Sequence, residues 1–178
     1  MLIIPRAVKE VLLWTKQVGI TSSASAKTNT MPIVKPDEFQ FETADESPGF
    51  MLWRVSSLWQ RQIKAALEPF DLTHTQFVLL AGLSWLEGHI TQVQLAEHLG
   101  MDVMMTSQVL RTLESKGLVE RPAHPTDSRA KALKLTQAGL ELSTKTVPVV
   151  EAADQDFFSR LGKKQSDLLK HLRKLQEE

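Results

Sequence analysis

Two short helices in close succession restrict the fold of this chain more than any other feature of its sequence. The run ITQVQLAEHLG has Thr91 and Gln94 at the spacing of a capping box and ends in glycine, which predicts a helix of barely two turns. Asp102 follows and is suited to cap a second helix, and Gly117 suits its end because glycine tolerates positive φ. Two short capped helices joined by GMD predict a helix-turn-helix.

The second of these helices has an outward face of unusual composition. At about 100° per residue, that face holds four residues and no carboxylate, namely Met104, Ser107, Gln108 and Arg111. Such a mixture suits base reading, because Gln pairs with adenine, Arg with guanine, Ser with either, and an apolar tip with the thymine methyl group. A plain solvated helix side is the alternative for these residues taken alone. The opposite side is predicted to be core and carries Thr106, Val109, Leu110 and Leu113.

Further helices are predicted on both sides of this pair. Apolar residues recur at helical spacing over residues 48–70, and Thr73 and Gln76 mark the start of the next helix with a second capping-box pattern. Two helices are predicted near the end of the chain. Pro148 lies inside the first of them, so a kink or break is expected near Val147.

A β-hairpin is predicted directly after the second short helix. Residues 118–121 and 130–135 have strand-like patterns, and two prolines interrupt the segment between them. The hairpin would form a wing tipped by His124, Asp127 and Arg129.

Charge and cysteine content limit the classes of function. The chain of 178 residues can bury one good core, and it holds 21 basic and 21 acidic residues. Phosphate attraction by one subunit would therefore be modest, and a second subunit would strengthen it. The absence of cysteine excludes disulfides and thiol redox switches and favours a reducing cytoplasm. No apolar run approaches the roughly 18 residues of a membrane span.

Residues 1–46 differ from the rest of the chain. They combine a short amphipathic pattern with a polar linker and superficially resemble a transit peptide, but charged residues interrupt the apolar segment. We expect a poorly ordered N-terminal extension, with Met31 as an alternative start that would make residues 1–30 optional or misassigned.

The order of these elements resembles the MarR family of winged helix-turn-helix transcription regulators over residues 47–178. The most specific match is DSRAKALKLT in the wing, and LAEHLGMD, LRTLESKGLVER and LTQAG match as well, all in the family's order. The resemblance implies a mainly α fold, with a winged helix-turn-helix and a small β-hairpin wing over residues 72–136. Residues 47–71 and 137–178 would form N- and C-terminal dimerisation helices.

The resemblance also implies roles for individual residues. Residues 103–116 would lie in the major groove of double-stranded DNA, and the wing would bring Arg129, followed by Lys131, to a neighbouring minor groove. Asp127 would brace the wing, since a carboxylate would be repelled from that electronegative groove. A simple exposed ion pair between Asp127 and Arg129, worth at most about 1 kcal/mol, is the alternative.

Dimer formation and ligand binding are further expectations from the family. Surplus apolar residues lie near both ends of the chain, at Phe50, Trp53, Phe157, Phe158, Leu161 and the leucines of residues 168–175. A homodimer would place two recognition helices about 34 Å apart on an inverted-repeat operator. A small aromatic effector would bind in a pocket lined by Trp53, Trp59, His74 and Phe77, for which core packing is the alternative.

The predicted function is therefore that of a cytoplasmic, dimeric repressor released from its operator by a small ligand. No catalytic or nucleotide-binding motif occurs, so an enzyme is not predicted. No cofactor, metal or membrane contact is predicted, although zinc ligands assembled in space stay open. Oxidation of Met101, Met104 and Met105 could disturb binding, but methionine is also an ordinary gap-filler. The alternative function is a winged-helix adaptor that binds protein rather than DNA.

Overall fold

The computed structural model describes residues 40–86, 89–126 and 129–177. Its helices are α1 (Pro48–Leu67), α2 (His74–Trp85), α3 (Gln92–His98), α4 (Val103–Ser115), α5 (Gln137–Ser159) and α6 (Gln165–Lys174). Its strands are β1 (Ile90–Thr91), β2 (Val119–Glu120) and β3 (Ala132–Leu135). Most of the predicted N-terminal extension, including Met31, lies outside the described residues. The mainly α prediction is confirmed.

The chain divides into two compact units within α1, between Ser57 and Leu58. In the first unit, the guanidinium group of Arg54 lies over the ring of Phe50, 5.7 Å from its centroid, and pairs with Asp45. The rings of Phe50 and Trp53 also pack together, with centroids 5.9 Å apart. These contacts organise the start of α1.

The predicted starts of the short helices are confirmed by hydrogen bonds in the second unit. The hydroxyl of Thr91 accepts from the amide of Gln94 at 3.3 Å, and the Gln94 side chain accepts from the amide of Thr91 at 2.9 Å. The same reciprocal pair joins Thr73 and Gln76 at the start of α2. These bonds satisfy amides that would otherwise lack partners in the first turn.

Glycine ends α4 as predicted. Gly117 has φ +70°, a conformation that residues with a Cβ atom rarely adopt. Its amide donates to the carbonyl of Glu114 at 2.9 Å, and the amide of Leu118 donates to the carbonyl of Leu113 at 2.9 Å. This pair of bonds is a Schellman motif. Gly100, with φ +62°, ends α3 in the same way.

The sheet has one strand more than the predicted hairpin. Its order is β1–β3–β2 and both pairings are antiparallel, with Ile90 opposite Leu133 and Val119 opposite Leu135. The two residues of β1 were predicted only as the approach to α3. A strand of two residues has no periodic sequence pattern, and β1 forms only through its pairing with β3.

Helix α5 runs unbroken through Pro148, so the break predicted near Val147 is wrong. Proline lacks the amide that would donate to the carbonyl of Thr144, four residues earlier. Both Thr144 and Pro148 lie on the exposed side of α5. The helix thus lacks one backbone hydrogen bond on its exposed side and continues. A kink, the other half of that expectation, stays a prediction.

One core unites the helix-turn-helix with the flanking helices of the second unit. Its fully buried aliphatic side chains are Ile63, Leu67, Leu79, Leu80, Leu95, Leu110 and Leu113. They come from α1, α2, α3 and α4, so α4 shares one core with three other helices. Within the described ranges, no helix is long and apolar enough to cross a membrane.

A close backbone approach joins the start of α5 to the start of β2. A methyl carbon placed on Gly139 would lie 2.0 Å from the carbonyl oxygen of Leu118. Thr136 reinforces the contact, because its amide donates to that same carbonyl at 3.1 Å and its hydroxyl donates to the carbonyl of Gly117 at 2.7 Å. The LTQAG motif thus has a packing explanation.

We expect Gly139→Ala to destabilise the fold by about 1–3 kcal/mol, because the added methyl group forces the backbone of Leu118 to move. Urea denaturation would measure the change in the free energy of unfolding. Gly49→Ala in α1 is the matched control, since no atom lies within 4 Å of the added carbon. That control should be neutral or stabilising by up to about 1 kcal/mol. Equal stability of the two variants would contradict the proposed clash.

Candidate nucleic-acid interface

The outward face of α4 presents three long side chains to solvent. Met104 is 74% exposed, and Gln108 and Arg111 are exposed as well. The face therefore offers an apolar tip, an amide and a guanidinium group along one side of a helix. No carboxylate interrupts this row, in agreement with the sequence pattern.

Ser107 departs from the expectation that it faces solvent. It is only 8% exposed, and its hydroxyl oxygen lies 3.4 Å from Nη2 of Arg111, which donates to it. A serine side chain ends one atom beyond Cβ, so neighbouring atoms can cover it. The longer side chains of Met104 and Arg111 extend past those atoms into solvent. The structure therefore places Ser107 beneath the face, as a support for Arg111.

The inner side of α4 fixes the helix firmly. Leu110 and Leu113 are fully buried, and Thr106 is fully buried with its hydroxyl donating to the carbonyl of Asp102 at 2.8 Å. The carboxylate of Asp102 accepts from the amide of Met105 at 2.8 Å and caps the helix as predicted. The exposed side chains thus project from a helix that has little freedom to tilt.

A lysine at the end of α4 is tied to the loop before α2. Nζ of Lys116 donates to the carbonyl of Asp71 at 2.7 Å and to its carboxylate at 2.8 Å. Asp71 has φ +51°, the left-handed region that non-glycine residues seldom occupy. Sequence reasoning counted Lys116 only as local positive charge. No local signal reveals this contact, because 45 residues separate the partners.

The hairpin extends beyond β2 and β3 toward the wing tip. Ala123 and Lys131 form an antiparallel bridge, and the amide of His124 donates to the carbonyl of Ala130 at 3.1 Å. Arg129 and Lys131 are exposed, as expected of residues that contact DNA. Asp127 lies outside the described residues, so its bracing role stays a prediction.

Two side-chain contacts hold the wing against the preceding segment. Nη2 of Arg121 donates to the side-chain oxygen of Gln92 at 2.8 Å, which links the wing base to the first residue of α3. Nε2 of His124 lies 3.1 Å from the carbonyl oxygen of His89. Sequence reasoning missed both contacts, since residue types alone do not reveal partners about thirty positions apart. They fix the direction in which the wing leaves the helix-turn-helix.

The residues of the predicted ligand pocket have different surroundings. The rings of Trp59 and His74 meet edge to face with centroids 4.9 Å apart, and Nε1 of Trp59 donates to Asp154. Phe77 is 8% exposed and belongs to the core, which fits the alternative interpretation for that residue. Trp53 lies in the first unit, where it contacts Phe50. A ligand pocket at these residues stays a prediction.

Burial lowers the pKa of His74 below its ordinary value, and the charge of Asp154 opposes part of that effect. The folded state therefore resists protonation of this ring more than the unfolded state does. Below the ordinary histidine pKa of about 6.5, the unfolded chain binds more protons, so stability falls as the pH falls.

We expect His74→Phe to reduce the loss of stability between about pH 7 and pH 5, because phenylalanine cannot take up a proton. Urea denaturation at several pH values would measure the slope for the parent and the variant. The range above about pH 7.5 is the internal control, since His74 is neutral in both states there. Equal slopes below pH 7 would show that His74 does not link protonation to folding.

Comparison with known proteins agrees with this geometry. The model of the MarR family matches residues 72–131. The HTH-type transcriptional regulator YdcH of Bacillus subtilis is 43% identical over 141 residues, which are 74% of this chain and 96% of that protein. The HTH-type transcriptional repressor Rv2887 of Mycobacterium tuberculosis is 37% identical over 119 residues, which are 66% of this chain and 85% of that protein.

Solved structures show the same likeness. The crystal structure of Rv2887 in complex with salicylic acid has a TM-score of 0.58 and 35% identity, and covers 74% of this chain and 98% of that one. A mutant MarR from E. coli complexed with operator DNA has a TM-score of 0.66 and 28% identity, and covers 73% of this chain and 93% of that one. With a helix-turn-helix formed by α3 and α4 and with β2–β3 as its wing, this chain belongs to the MarR family of DNA-binding transcriptional regulators.

Proposed function

We propose that a homodimer of this chain represses transcription by binding an inverted-repeat operator and that a small aromatic ligand releases it. The observation that carries the proposal is the exposed row of Met104, Gln108 and Arg111 on a helix whose other side is fully packed. A recognition helix needs this combination, because side chains read bases only when the helix that carries them is fixed. The complex of E. coli MarR with operator DNA supports the choice of partner.

In this proposal the three exposed side chains divide the work of base reading. Arg111 donates to the acceptor pair of guanine, Gln108 pairs with adenine, and Met104 contacts a thymine methyl group. Ser107 was expected to touch bases directly. Its burial and its 3.4 Å contact with Arg111 instead favour a supporting role, in which it limits the directions available to the guanidinium group.

The wing supplies the second contact with DNA. Arg129 enters the neighbouring minor groove, where the potential is most negative, and Lys131 lies near the phosphates at its edge. Asp127 braces the wing tip. Lys116 contributes no phosphate contact in this arrangement, because its ammonium group is held by Asp71.

Exposed apolar surface supports a dimer. Helix α6 has no buried residue, and Leu169 and Leu172 on it are 48% and 38% exposed. Leu175, directly after α6, is 77% exposed. In the first unit, Leu52 and Trp53 are 55% and 51% exposed. Surface of this kind is unfavourable in a monomer and suits association with a second copy. Two copies also double the number of phosphate contacts that an otherwise neutral chain can make.

The effector in this proposal is a small aromatic molecule that binds near Trp59 and His74 in the second unit, with Phe77 as a further candidate. The edge-to-face contact of the two rings and the polar partner Asp154 supply the mixture that such a ligand needs. The complex of Rv2887 with salicylic acid supports this ligand class. Release requires only that the ligand prefer a conformation that does not bind DNA.

Selection of genomic fragments by the purified protein, followed by footprinting, would test the proposed function. We expect symmetric footprints with two copies bound. Arg111→Ala should weaken binding by about 1–3 kcal/mol for each half-site and relax the preference at one base of each half-site. Arg61→Ala on the exposed side of α1 is the matched control and should keep the parent's base preference, because α1 does not carry the row of Met104, Gln108 and Arg111. Capture of no preferred fragment would overturn the proposal and favour the protein-binding adaptor.

The salt dependence of binding separates residues that touch DNA from residues that support the fold. Arg129→Ala should weaken binding and flatten the plot of log affinity against log salt by about 1 for each wing, about 2 for the dimer, because each copy then releases fewer counterions from the DNA. Lys116→Met should weaken binding, because the contact between the end of α4 and the loop before α2 is lost. Its slope of log affinity against log salt should equal that of the parent, because the charge of Lys116 is already paired with Asp71. A flatter slope for Lys116→Met would instead place that ammonium group on a phosphate.

A further inference from the structure

We propose that Met104 is an oxidation site through which peroxide-type oxidants weaken DNA binding without unfolding the protein. The proposal rests on the proposed function, since its effect is exerted on the face that reads bases. It assigns to the thioether of Met104 a sensing role in addition to its contact role.

The distribution of sulfur in the chain points to this site. The sequence holds no cysteine and six methionines, so thioethers are the first targets for a two-electron oxidant. Among the described methionines, Met104 is the most exposed at 74%, followed by Met105 at 46% and Met51 at 36%. Met101 is partly buried against the core. Access alone therefore predicts that Met104 reacts before the other described methionines.

The position of Met104 determines what its oxidation changes. It lies in the first turn of α4, one turn before Gln108 and two turns before Arg111 on the same face. The N-terminal turns of a recognition helix are those that contact base edges. Because three quarters of Met104 is exposed, its side chain adds little to the core. A change in its polarity thus acts on the interface and not on the stability of the fold.

The chemistry is an oxygen transfer with a simple balance. A lone pair on the thioether sulfur attacks one oxygen of hydrogen peroxide, the O–O bond breaks and an S–O bond forms. The sulfur is oxidised by two electrons to the sulfoxide, and the peroxide is reduced to water. The product is polar and accepts hydrogen bonds, so it packs poorly against a thymine methyl group and must be desolvated at the interface.

Peroxide treatment of the full chain, with peptide mass spectrometry and DNA binding measured on the same samples, would test the proposal. The DNA is a fragment enriched by the untreated protein. We expect Met104 to be converted first, affinity to fall about tenfold or more once it is converted, and the melting temperature to stay the same. Bound DNA should slow the reaction at Met104, and methionine sulfoxide reductase should restore binding.

Variants at single methionines identify the residue responsible, each compared with its own untreated sample. Met104→Leu should keep its full affinity on treatment, whereas Met51→Leu, the matched control in α1, should weaken as much as the parent. Unchanged affinity after full conversion of Met104, or equal weakening of Met104→Leu, would overturn this proposal alone. An untreated protein that enriches no fragment would overturn the proposed function and this proposal with it.

Discussion

The fixed placement of α4 is the constraint on which the rest of the structure depends. Asp102 caps its start, the Schellman motif at Gly117 closes its end, and Leu110 and Leu113 anchor its inner side in the core. A long side chain can select among bases only if its backbone holds still, since a small displacement breaks a bidentate hydrogen bond. The other helices of the second unit and the sheet hold α4 in place, and they leave one side of it exposed to solvent.

Local physical chemistry explains why much of the fold was predictable. Some signals act between residues only a few positions apart, so the sequence pattern alone predicts them. They include the capping boxes at Thr73 and Thr91 and the glycine that ends α4. The apolar row of α1 and the hairpin after Gly117 were legible for the same reason. At the site, the exposure of Met104, Gln108 and Arg111 followed from helical geometry alone.

The features that were not predictable depend on distant partners. Strand β1 exists because β3 pairs with it, and the tie between Lys116 and Asp71 joins residues 45 positions apart. Ser107 is buried because neighbouring atoms cover its short side chain, and helical periodicity does not predict such coverage. Pro148 stays within a helix, with the lost hydrogen bond on the exposed side of α5, a circumstance that depends on orientation in the folded chain. Each of these needs the tertiary structure.

The contact between Gly139 and Leu118 couples the start of α5 to the segment between α4 and β2. A methyl carbon on Gly139 would overlap the carbonyl oxygen of Leu118. Thr136 also donates hydrogen bonds to the carbonyls of Gly117 and Leu118, which connect α4 to β2. The start of α5 and the entrance to the wing are consequently in close backbone contact, with no room for a side chain at position 139. A displacement of α5 at this point would therefore act directly on the backbone that leads from α4 to β2.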